Sequence, residues 1–224
     1  MTPPTRSKLP LKGSAKVITD YFLFSLHSIL YQRGIYPSDE FRMVKKWGLT
    51  LVQSIDPEVE DYLNRIMDQL KKWVYSGKIK RVVIAIIKKE IEVQNDESEV
   101  EVEIEIQKVV EKWEFTLDLI EEDHLLPSEI ELSEETQRKN FRDIQKMIQS
   151  IIRQITASIT FLPLLEGPHT FNVLVFADES THVPQDWGYA EPQKVYLEGE
   201  KVKFRDLKTA RHEVGTSVTY TLNE

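Results

Sequence analysis

"IIRQITASITFLPLLEG", Ile151–Gly167, is an apolar run that carries Arg153 and Gln154 side by side. At about 100° per residue, a helix through it collects Ile144, Met147, Ile148, Ile151, Ile152, Ile155, Ile159 and Leu162 on one stripe. Arg153 lies opposite. Lys146, Ser150, Gln154, Ala157 and Phe161 fall on the same side as Arg153. The spacing predicts a helix from about Ser133 to the neighbourhood of Phe161, ended by Pro163. Its second face mixes small residues, an arginine, an amide and an aromatic ring. Arginine and aromatic residues are enriched among interface anchors, and small residues let a partner approach closely. The plainer alternative is a solvent face with Phe161 folded under the Pro163 turn. Periodicity alone favours that alternative, because an exposed arginine on a helix is ordinary.

Working outward, "GSAKVITDYFLFSLHSILYQRGIYP" (13–37) repeats Val17, Ile18, Phe22, Leu26, Ile29 and Leu30 at helical spacing. Ser14 is the expected N-cap, and Gly34 with Pro37 the stop. Apolar residues all round (Tyr21, Leu23, Phe24) predict a buried, central helix. A second helix is expected after Asp56 and Pro57, a capping pair, with Val59, Leu63, Ile66, Met67, Leu70 and Val74 inward and Gly77 at its end. "RVVIAIIKKEIEV" (81–93) is rich in β-branched residues and reads as a central strand. "QNDES" (94–98) is a turn, and "VEVEIEIQ" (100–107) alternates apolar and acidic residues as a half-wet strand does. The two form a long acidic hairpin at about 88–111, either an acidic docking surface or, more simply, a solvated insertion that discourages edge-to-edge aggregation. Pro127 and Ser128 fall in a polar connection. "FNVLVFA" (171–177), "KVYLEGEKVKF" (194–204) and "VGTSVTYTL" (214–222) complete the strands. The expectation is one α+β domain over residues 11–224, preceded by a Pro-rich flexible arm at 1–10.

Composition limits the chemistry. At 224 residues and 41% hydrophobic content, the chain can build one sizeable core. A net charge of −8 gives no reason to expect nucleic-acid binding. No cysteine means no disulfide, thiolate metal site or cysteine nucleophile. No apolar run reaches the ~20 residues of a membrane span, and no signal-peptide core is visible, so a soluble intracellular protein is expected. His27, His124, His169, His182 and His212 follow no metal-binding spacing, and none of the nucleotide-loop or nucleophile-elbow motifs occurs. The residues name no catalytic group, metal or cofactor. An enzyme with an unrecognised carboxylate site remains the alternative from another class.

Several stretches together resemble the spindle-checkpoint HORMA-domain proteins: "LKGSAKVITDYFLFSLHSILYQRGIYP", "WGLTLV", "LKKWVYSGKIKRVVIAI", "EKWEF", "IIRQITASITFLP", "FNVLVFAD" and "VPQDW", in that order from about Leu11 to Tyr220. The hairpin at 88–111 is longer than is usual there, and the arm before Leu11 differs. The resemblance implies a HORMA fold: a β-sheet on three helices with a mobile C-terminal "safety belt", here about 178–224. It implies open and closed conformers, and a partner peptide held under the belt as an added strand. Belt residues by this likeness are Val183, Pro184, Trp187, Val202, Phe204, His212, Val218 and Tyr220. Leu11 and Gly13 match the conformational switch. Arg153, Gln154 and Phe161 match a surface where the two conformers dimerise and where a HORMA-like adaptor recruits an AAA+ remodelling ATPase. The implied peptide partners are a coiled-coil kinetochore checkpoint scaffold and the anaphase-promoting complex activator. The implied location is the nucleus, the kinetochore in mitosis, and also the cytoplasm. Other HORMA adaptors, of translesion polymerases or the meiotic axis, are the alternatives within the fold.

Overall fold

The computed structural model describes residues 11–95, 101–120, 134–190, 196–209 and 211–222. The arm at 1–10, the hairpin tip at 96–100, and Pro127, Ser128 and His124 lie outside the described residues. Among the described residues three α-helices and eight strands form, in the order α1 (Leu11–Gln32), β1 (Phe41–Lys46), β2 (Leu49–Ser54), α2 (Pro57–Tyr75), β3 (Ile79–Asn95), β4 (Glu101–Leu119), α3 (Glu134–Ala157), β5 (His169–Ala177), β6 (Glu200–Lys203), β7 (Leu207–Lys208) and β8 (His212–Tyr220).

α2 begins as its capping pair predicts. The Asp56 carboxylate accepts from the N–H groups of Glu58 (2.8 Å) and Val59 (3.3 Å), with Pro57 next in line. α1 differs. It starts at Leu11, so Ser14 lies inside the helix and is not its cap. The Ser14 hydroxyl instead faces the C-terminal part of the chain, and a tertiary bond has replaced a local one. The hairpin β1–β2 was not expected from periodicity. Its turn places Trp47 (φ 49°) and Gly48 (φ 71°) in the left-handed region, the two-residue geometry that matches strand twist.

β3 and β4 form the antiparallel spine of a six-stranded sheet, ordered β5-β3-β4-β8-β6, with β7 also on β8. Alternation divides β3 cleanly: Val82, Ile84 and Ile86 enter the main core, while Val83, Ala85 and Ile87 pack with Val109, Leu174 and Phe176 in a separate small cluster. α1 is central, as its all-round apolarity predicts. Tyr21 and Phe22 meet Phe115 edge-on, at 5.9 and 5.3 Å between ring centres. The β3–β4 ribbon outruns its neighbours: β5 accompanies β3 only to Lys88, and β8 accompanies β4 only from Glu111.

α3 ends earlier than its apolar stripe predicts. The α-helix stops at Ala157, and a tighter turn follows over Ser158–Thr160. The hydroxyls of Ser158 and Thr160 donate to the carbonyls of Ile155 and Ala157 and so satisfy the frayed end. The tighter turn rotates Ile159 out of the stripe, leaving it 47% exposed, while Ile144, Ile148, Ile151, Ile152, Ile155 and Leu162 stay buried. Among the described residues of the run "KVYLEGEKVKF", Glu200–Lys203 is strand.

Candidate functional site: an open strand edge and the segment that crosses from it

β5 is an edge strand. Among the described residues no strand pairs with its outer side, so a row of backbone donors and acceptors faces outward. It is nonetheless apolar: Val173, Leu174, Val175, Phe176 and Ala177 are all only half-buried. From Thr170 to Ala177 this edge carries no charged side chain and no proline, two of the devices that normally blunt an edge.

The chain leaves this edge at Asp178, whose N–H donates to the Lys78 carbonyl (3.0 Å) and whose carboxylate pairs with Lys80 (2.7 Å). It then passes the C-terminal end of α2. The Trp73 indole N–H donates to the His182 carbonyl (3.3 Å), and the Trp73 and Trp187 rings pack edge-on at 4.9 Å. Val183 and Pro184 are half-buried here. Between this stretch and β5 lies a cavity of about 340 Å³, lined by Trp73, Val175, Phe176, Thr181, Trp187 and Tyr189 among others.

The same segment is next anchored at the opposite edge of the sheet. Four inter-strand gaps, roughly 19 Å, separate β5 from β6. There β6 pairs with β8, and β8 pairs with β4 along Glu111–Leu119. Gly199 enters this pairing with no room for a side chain, because a Cβ would meet the Tyr220 backbone carbonyl. Phe204 stacks on Trp113 at 5.8 Å with an 8° tilt, and its N–H donates to the Thr216 carbonyl. Leu207, His212 and Val218 are buried outright, Tyr220 nearly so, and Val202 half-buried.

The α3 face seen in the sequence is partly in use. Arg153 is exposed and forms no salt bridge among the described residues. Phe161, 40% exposed, leans on Tyr220 at 6.0 Å. Gln154 is not free: its carbonyl oxygen accepts the Arg205 backbone N–H at 3.0 Å, and the Arg205 guanidinium donates to Ser150. So this face touches the C-terminal segment. Leu11 and Gly13 sit in the first turn of α1, and the Leu11 side chain lies outside the described residues.

Sequence reasoning missed a buried charged cluster under this face. Arg33 Nε contacts Glu111 Oε2 at 2.9 Å, its Nη2 donates to the Pro163 carbonyl, and the Trp113 indole donates to Glu111 Oε1. Burial pushes the Glu111 carboxyl above its ordinary range, and Arg33 opposes that shift. The only hint in sequence was an acid and an arginine inside otherwise apolar strings. Glu111 and Glu114 are the only buried acids among the described residues, and both are tied to cations; neither lines the cavity by β5. No group of three His, Asp or Glu residues is placed to hold a metal among the described residues.

Comparison with known proteins places this geometry. The HORMA domain pattern matches residues 14–219. The fission yeast Schizosaccharomyces pombe mitotic spindle checkpoint component mad2 is 35% identical over 220 residues, 98% of each chain. Mouse (Mus musculus) mitotic spindle assembly checkpoint protein MAD2A is 39% identical over 212 residues, 95% of this chain and 92% of its own. A chain in a crystal structure of the mitotic checkpoint complex superposes with a TM-score of 0.77 at 32% identity, over 97% of this chain and all of that one. This chain belongs to the HORMA-domain family. Within that family, its end-to-end likeness lies with the Mad2 spindle-checkpoint proteins.

Proposed function

We propose that this protein is a non-enzymatic component of the spindle assembly checkpoint that entraps a short peptide as an added strand on β5. The observation that carries the reading is the pairing of an open, apolar strand edge with a chain that leaves that edge at Asp178 and is anchored again, from Gly199 on, at the opposite side of the sheet. Main-chain bonds to β5 would supply affinity, and the cavity between β5 and Trp187 would take side chains. Asp178 and Glu179 at the cavity favour a basic flank on the peptide. Residues 178–224 then act as the safety belt, and release requires the belt to open, so dissociation is slow without a large interface.

The peptide is a motif of a coiled-coil kinetochore scaffold or of the anaphase-promoting complex activator, and its capture helps inhibit that ubiquitin ligase and delay anaphase. The protein acts at kinetochores in mitosis, and resides in the nucleus and cytoplasm. Arg153, Gln154 and Phe161 form the surface for a second copy in the other conformer, and for an adaptor that brings an AAA+ ATPase. Because Gln154 and Phe161 already touch the C-terminal segment at Arg205 and Tyr220, that surface changes with belt position. Leu11 and Gly13, one turn or less before Ser14, bias the balance between the two forms.

The test is timed release of a labelled basic–hydrophobic peptide from the full chain and from a chain truncated after Glu213. Slow release by the full chain, lost on truncation while circular dichroism shows the core folded, supports entrapment. Equal behaviour of the two chains overturns it.

A further inference from the structure

His212 opens β8, is buried, and carries a ring with both nitrogens engaged. Nε2 lies 3.2 Å from the Val74 carbonyl in the last turn of α2. A carbonyl only accepts, so Nε2 bears the proton and Nδ1 is a bare acceptor. Nδ1 lies 3.1 Å from the Ser14 hydroxyl of α1. Ser14 Oγ in turn lies 2.9 Å from Thr209 Oγ1, and Thr209 Oγ1 accepts the His212 backbone N–H at 3.0 Å. The Thr209 hydroxyl also lies 3.0 Å from the His212 carbonyl, which already accepts the Thr209 backbone N–H at 2.8 Å. With the Thr209 proton shared between that carbonyl and Ser14, one chain of donors runs His212 N–H to Thr209, Thr209 O–H to Ser14, Ser14 O–H to Nδ1, and Nε2–H to Val74. Ser14 and Thr209 are fully buried. Burial also holds the imidazole below its ordinary pKa, which agrees with a neutral ring.

Three elements that are remote in sequence meet here. α1 and α2 belong to the core, and Thr209 and His212 belong to the C-terminal segment anchored at the far edge of the sheet. None of the four groups lines the cavity beside β5. We infer that Ser14, Thr209 and His212 form a buried bracket that pins the start of β8 to α1 and α2, making His212 a positioning residue for peptide entrapment that acts through the belt and never on the peptide. This rests on the entrapment reading and assigns its far anchor. With the bracket intact, β8 cannot peel from β4 at its His212 end without stranding the buried Ser14 hydroxyl and leaving the Val74 carbonyl with backbone N–H donors alone. Without it, peeling begins there and the fence across β5 loosens.

Two measurements on the full chain test this. The first is release of a fluorescein-labelled basic–hydrophobic peptide from the wild-type chain and from Ser14→Ala, His212→Ala and His212→Gln. Ser14→Ala and His212→Ala are expected to speed release about tenfold, the effect of one lost buried hydrogen bond. His212→Gln keeps a side-chain N–H for Val74 and is expected to recover part of the loss. The second is amide hydrogen exchange without peptide. Both alanine variants are expected to raise exchange along Val214–Thr219, while β3 and the middle of α2 keep wild-type protection. Unchanged release and unchanged β8 exchange in Ser14→Ala and His212→Ala would overturn the bracket. Equal acceleration of exchange in β3 and α2 would overturn it too, since that is general loosening. Fast release by the wild-type chain would overturn entrapment itself, and the exchange pattern would then judge the bracket alone.

Discussion

Trp73 shows how one side chain can serve two elements. Its ring closes the apolar stripe of α2, and its indole N–H reaches across to the His182 carbonyl. Replacing Trp187, its edge-on partner, with alanine is expected to lower peptide affinity by about 1 kcal/mol or more, the worth of an aromatic pair plus its burial. Fluorescence polarisation titration reads this, and unchanged affinity would remove the cavity from the peptide site. Arg33 is a second case. Arg33→Ala leaves Glu111 buried without its cation and is expected to cost about 3–5 kcal/mol. Urea unfolding measures it, and a cost near zero would mean that water reaches the carboxylate. Arg153 offers the opposite contrast, because its side chain is exposed and forms no salt bridge among the described residues. Arg153→Glu is expected to abolish self-association while leaving the melting temperature and peptide capture unchanged, and sedimentation velocity decides between the outcomes.

His27 sets a residue-level pH dependence. Burial lowers its pKa to about 4, and its Nδ1 accepts the Ser54 N–H. The folded value is below the unfolded ~6.5, so the unfolded chain binds the proton more readily. Its contribution to stability is therefore complete above pH ~6.5 and falls as pH drops toward 4. Thermal melts between pH 7.5 and 4.5 should show declining stability in the wild-type chain, with a shallower decline in His27→Gln. Parallel slopes would assign the acid sensitivity to other groups.

At the scale of elements, β6 and the projecting ribbon behave differently. β6 docks only because residue 199 is glycine. Gly199→Ala sets a methyl group against the Tyr220 carbonyl and is expected to disfavour this belt position, while strands β3, β4 and β5 stay formed. Amide protection of β6 and β8 in the peptide-free chain measures it. Among the described residues, the ribbon beyond Lys88 and Glu111 pairs only with itself. Replacing its outer part with a two-residue turn is expected to leave the melting temperature within a few degrees of wild type. A large drop would show that the ribbon packs on the domain. The helices were legible at this scale because capping and 3.6-residue periodicity are local. Asp56–Pro57, Gly34 and Gly77 act where the sequence places them. Ser14 was misread for the converse reason: a serine before an apolar run looks like a cap, but its partners are about 200 residues away. Ile159 was misread because two hydroxyls tightened the last turn of α3 and broke the period.

Across the whole molecule, the sequence by itself determined the α+β class, the three helices, the long β3–β4 spine and the family. These follow from residue spacing and from strings such as "YQRGIYP" that resemble the family. It also placed Arg153 opposite the α3 core stripe. Only the tertiary structure decided where the described residues between 178 and 222 lie. An apolar strand such as Val214–Tyr220 can pair with more than one sheet edge, since its alternation fixes which face is buried and not which neighbour it joins. That choice rests on contacts between positions far apart: Phe204 on Trp113, Gly199 against Tyr220, and His212 between Ser14 and Val74. The free edge of β5 follows from the same choice, because the strands that could have covered it are held on the other side of the sheet.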